Sequence, residues 1–248
     1  MSFADNRGVR IHYEVEGHGS PLVLHHGFSE NLRSWYWKDF VEPLQDDYQL
    51  ILIDIRGHGD SDKPHEPDAY GLAQYAMDVV AVLDVLELDQ AYCFGYSLGG
   101  WIGFALAKHA PDRLLSLTIG GVSPYGSSLT VYRNILKTNL ESCLTSLEKA
   151  FGARLPDEVR QDHFSNDIHA LRAAYQHDRP DISAILPSMT IPCLLFAGEA
   201  DPLYDAIKRC ATELPKAVFL SLSGLNHIQV ALHLKRVLPH LIKFLAAI

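Results

Sequence analysis

The stretch Ala91-Tyr92-Cys93-Phe94-Gly95-Tyr96-Ser97-Leu98-Gly99-Gly100 passes from an apolar, strand-like run into Gly-x-Ser-x-Gly, and then into a helix-like run from Trp101 to His109. A serine at such a strand-to-helix turn sits on a tight bend with strained backbone angles. Its neighbours two residues to either side must be small, or their side chains would collide across the bend. Gly95 and Gly99 meet that need. The bend lifts the Ser97 hydroxyl above the sheet edge at a helix N-terminus, where free N–H groups and the helix dipole favour negative charge. The bland alternative is a glycine-rich turn with an incidental serine. The strand before and the helix after favour a nucleophile.

The rest of the chain supplies more strands and helices in alternation. Val9 to Val15 alternates in a strand-like way and ends at Gly17-His18-Gly19, a turn signal. Pro21 to His25 is a short apolar strand, Ser34 to Leu44 reads as a helix, and Tyr48 to Asp54 is a continuous apolar strand of the kind buried on both faces of a parallel sheet. Gly71 to Leu86 carries Tyr75, Val79, Val82, Leu83 and Leu86 at helical spacing. Further strands are expected at Leu114 to Ile119, Ile191 to Ala197 and Ala217 to Leu222, with a last helix from Val230 to Leu245 kinked at Pro239. Alternation of this kind implies an α/β fold with a mostly parallel sheet. Between Tyr125 and Leu186 the pattern is helix-like only, with breaks near Gly152, Pro156 and Pro180. That block reads as an inserted helical cap over the carboxyl ends of the strands, where open α/β sheets place their ligands. The division expected is a core of residues 1–123 and 188–248 and a cap of residues 124–187; the alternative is a separate helical domain.

Composition narrows the function classes. Lys plus Arg number 21 against 30 Asp plus Glu, a net charge of −9, which argues against nucleic-acid or anionic-membrane partners. Cys93, Cys143, Cys193 and Cys210 are widely spaced with no C-x-x-C pair, and Cys93 and Cys193 fall in apolar runs as buried small hydrophobes. The first residues lack the apolar core of a signal peptide and no run is long enough to span a bilayer, so a cytoplasmic location is expected.

Further motifs line up around the serine: His26-Gly27-Phe28 after an early strand, Asp54-Ile55-Arg56-Gly57-His58-Gly59-Asp60-Ser61, Gly198-Glu199-Ala200-Asp201, and Asn226-His227. In this order and context, and over nearly the full length, the chain resembles the α/β-hydrolase superfamily, which implies the α/β-hydrolase fold and a Ser-His-Asp esterase or lactonase.

Chemistry and resemblance then select the partners. A serine hydroxyl needs a base to take its proton, and imidazole is suited because it titrates near the working pH. Of thirteen histidines, His227 follows the last strand at the carboxyl edge, in a loop, and matches the superfamily's base by position. The third group must orient that imidazole. Asp201 follows the strand before it, and the chain order Ser, Asp, His is that of the superfamily. Asp205 is a rival four residues on, and a helix-capping aspartate is the duller reading of Asp201. Some members carry the acid after the preceding strand, but Gly120-Gly121-Val122-Ser123-Pro124 has no carboxylate. The oxyanion donors expected are the backbone N–H of Leu98 and, by resemblance, that of Phe28.

Arg56-Gly57-His58-Gly59-Asp60-Ser61 lacks the Lys-Ser/Thr of a P-loop and reads as a loop-stabilising network. His25 and His26 point to opposite faces of a strand, and His163, His169 and His177 lack ligand spacing, so neither metal nor other cofactor is expected. Trp35, Tyr125 and Ile228 are candidate pocket residues. The reaction expected is cleavage of a small-molecule ester, lactone or thioester. Carbon–carbon bond hydrolases, cofactor-free perhydrolases and acyltransferases share the triad, and a ligand receptor is the non-enzymatic alternative. A serine at position 97 argues against epoxide hydrolases and haloalkane dehalogenases, which use an aspartate.

Overall fold

Eight strands hydrogen-bond into one sheet in the order β1-β2-β4-β3-β5-β6-β7-β8. They are β1 (Ser2–Asn6), β2 (Val9–Glu16), β3 (Ser20–His25), β4 (Tyr48–Ile53), β5 (Ala91–Tyr96), β6 (Leu114–Gly120), β7 (Cys193–Gly198) and β8 (Ala217–Leu222). The pairs β1–β2 and β2–β4 are antiparallel and all others parallel. The computed structural model describes residues 1–151 and 154–248. The helices are α1 (Ser34–Trp37), α2 (Leu72–Val85), α3 (Leu98–His109), α4 (Thr130–Ile135), α5 (Leu140–Phe151), α6 (Asp157–Phe164), α7 (Ile168–Ala174), α8 (Tyr204–Glu213), α9 (His227–Leu232) and α10 (Leu238–Leu245). Among the described residues, no helix is long and apolar enough to cross a membrane.

The unbroken apolar run of β4 follows from burial on both faces. Ile51 and Ile53 join a core beneath α2 and α3, with Val79, Val82, Ile102 and Phe104. Leu50 and Leu52 join the opposite core with Trp35, Phe40, Phe94, Leu241 and Leu245. Alternate side chains point to opposite faces, and each fully buried one contributes about 1.5–3 kcal/mol of transfer free energy.

Several boundaries differ from the sequence reading. Strand β1 was not anticipated; it is a short edge strand held by Ala4 in the core and by pairing with β2. The first helix stops at Trp37 rather than Leu44, because Asp39 turns to φ 55°, outside helical space. The last helix is two helices separated by a 3₁₀ turn at Leu234–Arg236. Pro239 lies in the first turn of α10, where a missing N–H costs nothing, so it starts a helix and does not kink one. Between β6 and β7 the described residues hold α4 to α7 and no strand, apart from one isolated bridge between Ser127 and Arg179. Of the breaks anticipated there, Pro156 precedes α6 and Pro180 follows α7, while Gly152 lies outside the described residues.

Candidate active site

Ser97 stands between β5 and α3 with φ 54° and ψ −105°, a conformation rare for a residue with a Cβ. The bend tolerates no bulk. A Cβ on Gly95 would strike the backbone of Gly99, and one on Gly99 would strike the His25 carbonyl. The Ser97 N–H donates to the Gly120 carbonyl at 2.8 Å, tying the bend to the neighbouring strand.

Three nominated side chains lie in one hydrogen-bonded row. Ser97 Oγ is 3.1 Å from His227 Nε2, and His227 Nδ1 is 2.7 Å from Asp201 Oδ2. With Nδ1–H donating to the carboxylate, Nε2 is left to accept the serine proton. The Asp201 side chain is 1% exposed and that of His227 15%, so the acid is sheltered while the ring borders the pocket. The other Asp201 oxygen accepts the Leu203 N–H at 2.9 Å, so this aspartate also caps the turn ahead of α8, and the two readings of it coexist. Asp205 is exposed in the first turn of α8.

His227 is the first residue of α9, not part of a loop. Asn226 and Gln229 form a capping box around it, with side chain and backbone bonded reciprocally at 2.9 Å. Tyr96 O–H donates to the His227 carbonyl at 2.6 Å, anchoring the backbone beneath the ring.

The loop after β3 carries the second expected oxyanion donor. Ile55 N–H donates to His26 Nε2 at 3.1 Å, which leaves Nδ1–H to donate to the Gly27 carbonyl at 2.9 Å. Burial lowers the His26 pKa, in keeping with this neutral tautomer. Gly27 N–H donates to Glu30 Oε2 at 3.0 Å, and Lys38 Nζ lies 2.7 Å from both Glu30 oxygens. Burial alone would raise the Glu30 pKa, but the charge and hydrogen bonds of Lys38 outweigh it and hold the carboxyl below its ordinary value. Sequence reading missed this pair, whose members are eight residues apart in an irregular segment. Neither Phe28 N–H nor Leu98 N–H has a protein acceptor among the described residues, and Leu98 N–H is the first amide of α3.

The cavity at Ser97 is narrow, about 70 Å³. Phe28, Tyr96, His227 and Ile228 form its lower part, and Tyr132, Leu147, Leu155 and Val159 its upper part, from the segment between β6 and β7. Ile228, one of the three candidate pocket residues, lines this cavity. Trp35 does not reach the cavity: it is wholly buried, its ring 5.2 Å from Phe40 and 5.6 Å from Phe94, because the early end of α1 turns it onto the sheet. Tyr125 also points elsewhere, beneath the Arg209 guanidinium at 4.5 Å on the α8 side.

Comparison with known proteins bears on the fold that carries this row. The family profile described as the alpha/beta hydrolase fold matches residues 20–134. The dihydrolipoyllysine-residue acetyltransferase component of the acetoin cleaving system of Cupriavidus necator is 38% identical over 127 residues, 50% of this chain and 32% of that protein, so the chain spans about a third of that relative's length. A putative 2-succinyl-6-hydroxy-2,4-cyclohexadiene-1-carboxylate synthase of Bacillus subtilis is 26% identical over 227 residues, 82% of each chain. The enol-lactonase from Burkholderia xenovorans LB400 shares the fold with a TM-score of 0.85 at 22% identity, covering 99% of this chain and 100% of its own. The chain has the α/β-hydrolase fold, and the profile of that fold matches its first half from residue 20 to 134.

Like the motif that bears the serine, the Arg56–Ser61 loop is set by hydrogen bonds. Asp54 accepts from Leu32 N–H and Asp60 N–H, each at 2.8 Å, and lies 2.8 Å from His12 Nδ1. Arg56 pairs with Asp78 in a buried bond to α2. One donor atom each of His12, Asp54 and Asp60 lie within 4.8 Å of one another, a spacing a cation could use. Both Asp54 oxygens already accept backbone N–H groups and one faces His12 Nδ1, so this group holds the loop and offers no spare ligand set.

Proposed function

We propose that this chain is a serine hydrolase that cleaves carboxylic esters, including lactones and thioesters, through an acyl-enzyme. The hydrogen-bonded row Ser97–His227–Asp201 carries the reading. Ser97 Oγ attacks the acyl carbonyl as its proton passes to His227 Nε2, and the Asp201 carboxylate holds the resulting imidazolium. The Leu98 and Phe28 N–H groups, both without a protein acceptor among the described residues, stabilise the oxyanion. His227 gives its proton to the departing alkoxide. It then takes a proton from water, whose oxygen attacks the acyl-enzyme and releases the acid and Ser97. No metal or cofactor enters this scheme.

On this reading residues 124–187 act as a cap that sets the size of the acyl site, over a core of residues 1–123 and 188–248. Four free cysteines suit a reducing, cytoplasmic compartment. The test is turnover of short p-nitrophenyl esters and γ-lactones by the wild type and by Ser97→Ala. Wild-type turnover with a loss on the order of 10⁴-fold or more in the variant, at unchanged melting temperature, is the expected result. Equal rates in the two proteins would overturn the reading. Cleavage of a dienone acid in place of every ester would move the activity to carbon–carbon bond hydrolysis.

A further inference from the structure

Beside the Ser97 pocket, behind a partition of aromatic rings, lies a second cavity of about 270 Å³. Tyr175 forms the partition. Its ring centroid is 4.9 Å from that of Phe28 and 4.8 Å from that of Tyr132, and those two rings border the Ser97 pocket. Leu98, the residue after Ser97, lines the second cavity. At this volume it approaches the lower end of small-molecule sites, ~300–1,000 Å³.

Its walls are unusual in what they leave unused. Arg179 lines the cavity with its guanidinium carbon 5.2 Å from the centroid of the Trp101 ring. Its backbone is fixed by the bridge to Ser127, with N–H and carbonyl both bonded, at 3.0 and 3.1 Å. Among the described residues no carboxylate or carbonyl accepts from the guanidinium. Most other arginines of the chain do better: Arg10, Arg56, Arg113, Arg133, Arg154, Arg160 and Arg209 each pair with an acid. A second unused group lies in the same walls. Tyr75 is 4% exposed, and its hydroxyl has no hydrogen-bond partner among the described residues. A half-buried cation stacked on an indole, in the same walls as the free hydroxyl of a buried tyrosine, is a recognition element for a planar anion.

We propose that this cavity is a binding site for a small monocarboxylate with an apolar or aromatic body. The Arg179 fork would take the two oxygens, the Tyr75 hydroxyl would donate to one of them, and Trp101, Tyr175 and Leu98 would enclose the body. The remaining charges favour a monoanion over a phosphate. Asp178 lines the cavity but is neutralised by Arg133 at 2.7 Å, and Asp68 and His177 are exposed at the rim, so among the described lining residues Arg179 is the one permanent cation that faces the ligand. A dianion would meet that single charge with an acidic rim beside it. The site stands whether or not Ser97 is a nucleophile, because none of its polar groups belongs to the Ser97 row.

The test is isothermal titration calorimetry of the full chain with benzoate, its uncharged analogue benzamide, and inorganic phosphate. Benzoate is expected to bind and the other two to bind at least about tenfold more weakly. Arg179→Gln should weaken benzoate about ten- to a hundredfold, and Tyr75→Phe less, while Ser97→Ala leaves its affinity unchanged. Melting temperatures of the variants separate loss of the site from loss of the fold, and Arg179→Lys, which keeps charge without the fork, should retain intermediate affinity. Equal binding of benzoate and benzamide, undiminished benzoate binding by a folded Arg179→Gln protein, or no benzoate binding by the wild type would each overturn the proposal. Loss of benzoate binding in a folded Ser97→Ala protein would assign the ligand to the Ser97 pocket and overturn it as well.

Discussion

The lower and upper halves of the Ser97 pocket are held in place by different physics. The lower half is made at strand ends, where backbone stereochemistry leaves few choices. Ser97 occupies a positive-φ bend that only small neighbours permit, and His227 is fixed at the start of α9 by a capping box and the Tyr96 hydroxyl. The upper half is made of Tyr132, Leu147, Leu155 and Val159, ordinary side chains on short helices. Polar bonds join the halves at few points. Asn31 Nδ2 donates to Asp162 Oδ1 of α6 at 2.8 Å, Trp37 Nε1 donates to its Oδ2 at 3.2 Å, and Asn166 Nδ2 donates to the Ser29 carbonyl at 2.9 Å. The lower half is therefore fixed by backbone stereochemistry and directed hydrogen bonds, and the upper half by the packing of apolar side chains.

This contrast can be broken or sharpened by substitution in each half. The largest effect belongs to Asp201→Asn. The amide leaves His227 in the wrong tautomer, and kcat for ester cleavage should fall about 10⁴-fold. A loss under tenfold would show that the acid only caps its turn.

A smaller effect is expected one layer below, at Glu30→Gln. The neutral amide weakens the hold on Gly27 N–H and leaves Lys38 unpaired, so the loop bearing the Phe28 N–H shifts. kcat should drop by about 10²-fold with little change in KM, since misplacement by about 1 Å costs that much. The same pair fixes an acid limit. The folded carboxyl is held below its ordinary value of 4.5. Its stabilising contribution is thus complete above that pH and is lost as pH falls through the lower folded value. In denaturant titrations the stability gap between wild type and Glu30→Gln should be largest near neutrality and should close below about pH 4.5. A gap that widens in acid would contradict the assignment.

The smallest effect lies in the upper half. Val159→Phe should narrow the pocket, shifting the ratio of kcat/KM for p-nitrophenyl hexanoate to acetate toward acetate by about tenfold, with acetate turnover nearly unchanged. A large loss on acetate would mean that the upper half shares in the chemistry.

The same contrast explains what was legible in the sequence. Gly95, Ser97 and Gly99 announce the bend because glycine is demanded where a Cβ would strike backbone, whereas Asp201 and His227 were chosen from their places after successive strands together with the superfamily resemblance. The parallel sheet was legible from its continuous apolar runs, which record burial on both faces. What could not be read was decided by packing between distant segments. Trp35 resembles a pocket aromatic in sequence, yet the short α1 turns it inward onto Phe94. Glu30 with Lys38, Tyr96 beneath His227, and Arg179 over Trp101 are pairings between irregular or remote segments, and no periodicity encodes them.

The central claim is that the Ser97 hydroxyl is activated by His227. Treating the wild-type protein with a fluorophosphonate probe and mapping the adduct by peptide mass spectrometry tests it most directly. The account predicts a single stoichiometric adduct on Ser97 that His227→Ala slows by orders of magnitude. An unmodified Ser97, or labelling that proceeds at the same rate without the imidazole, would contradict it.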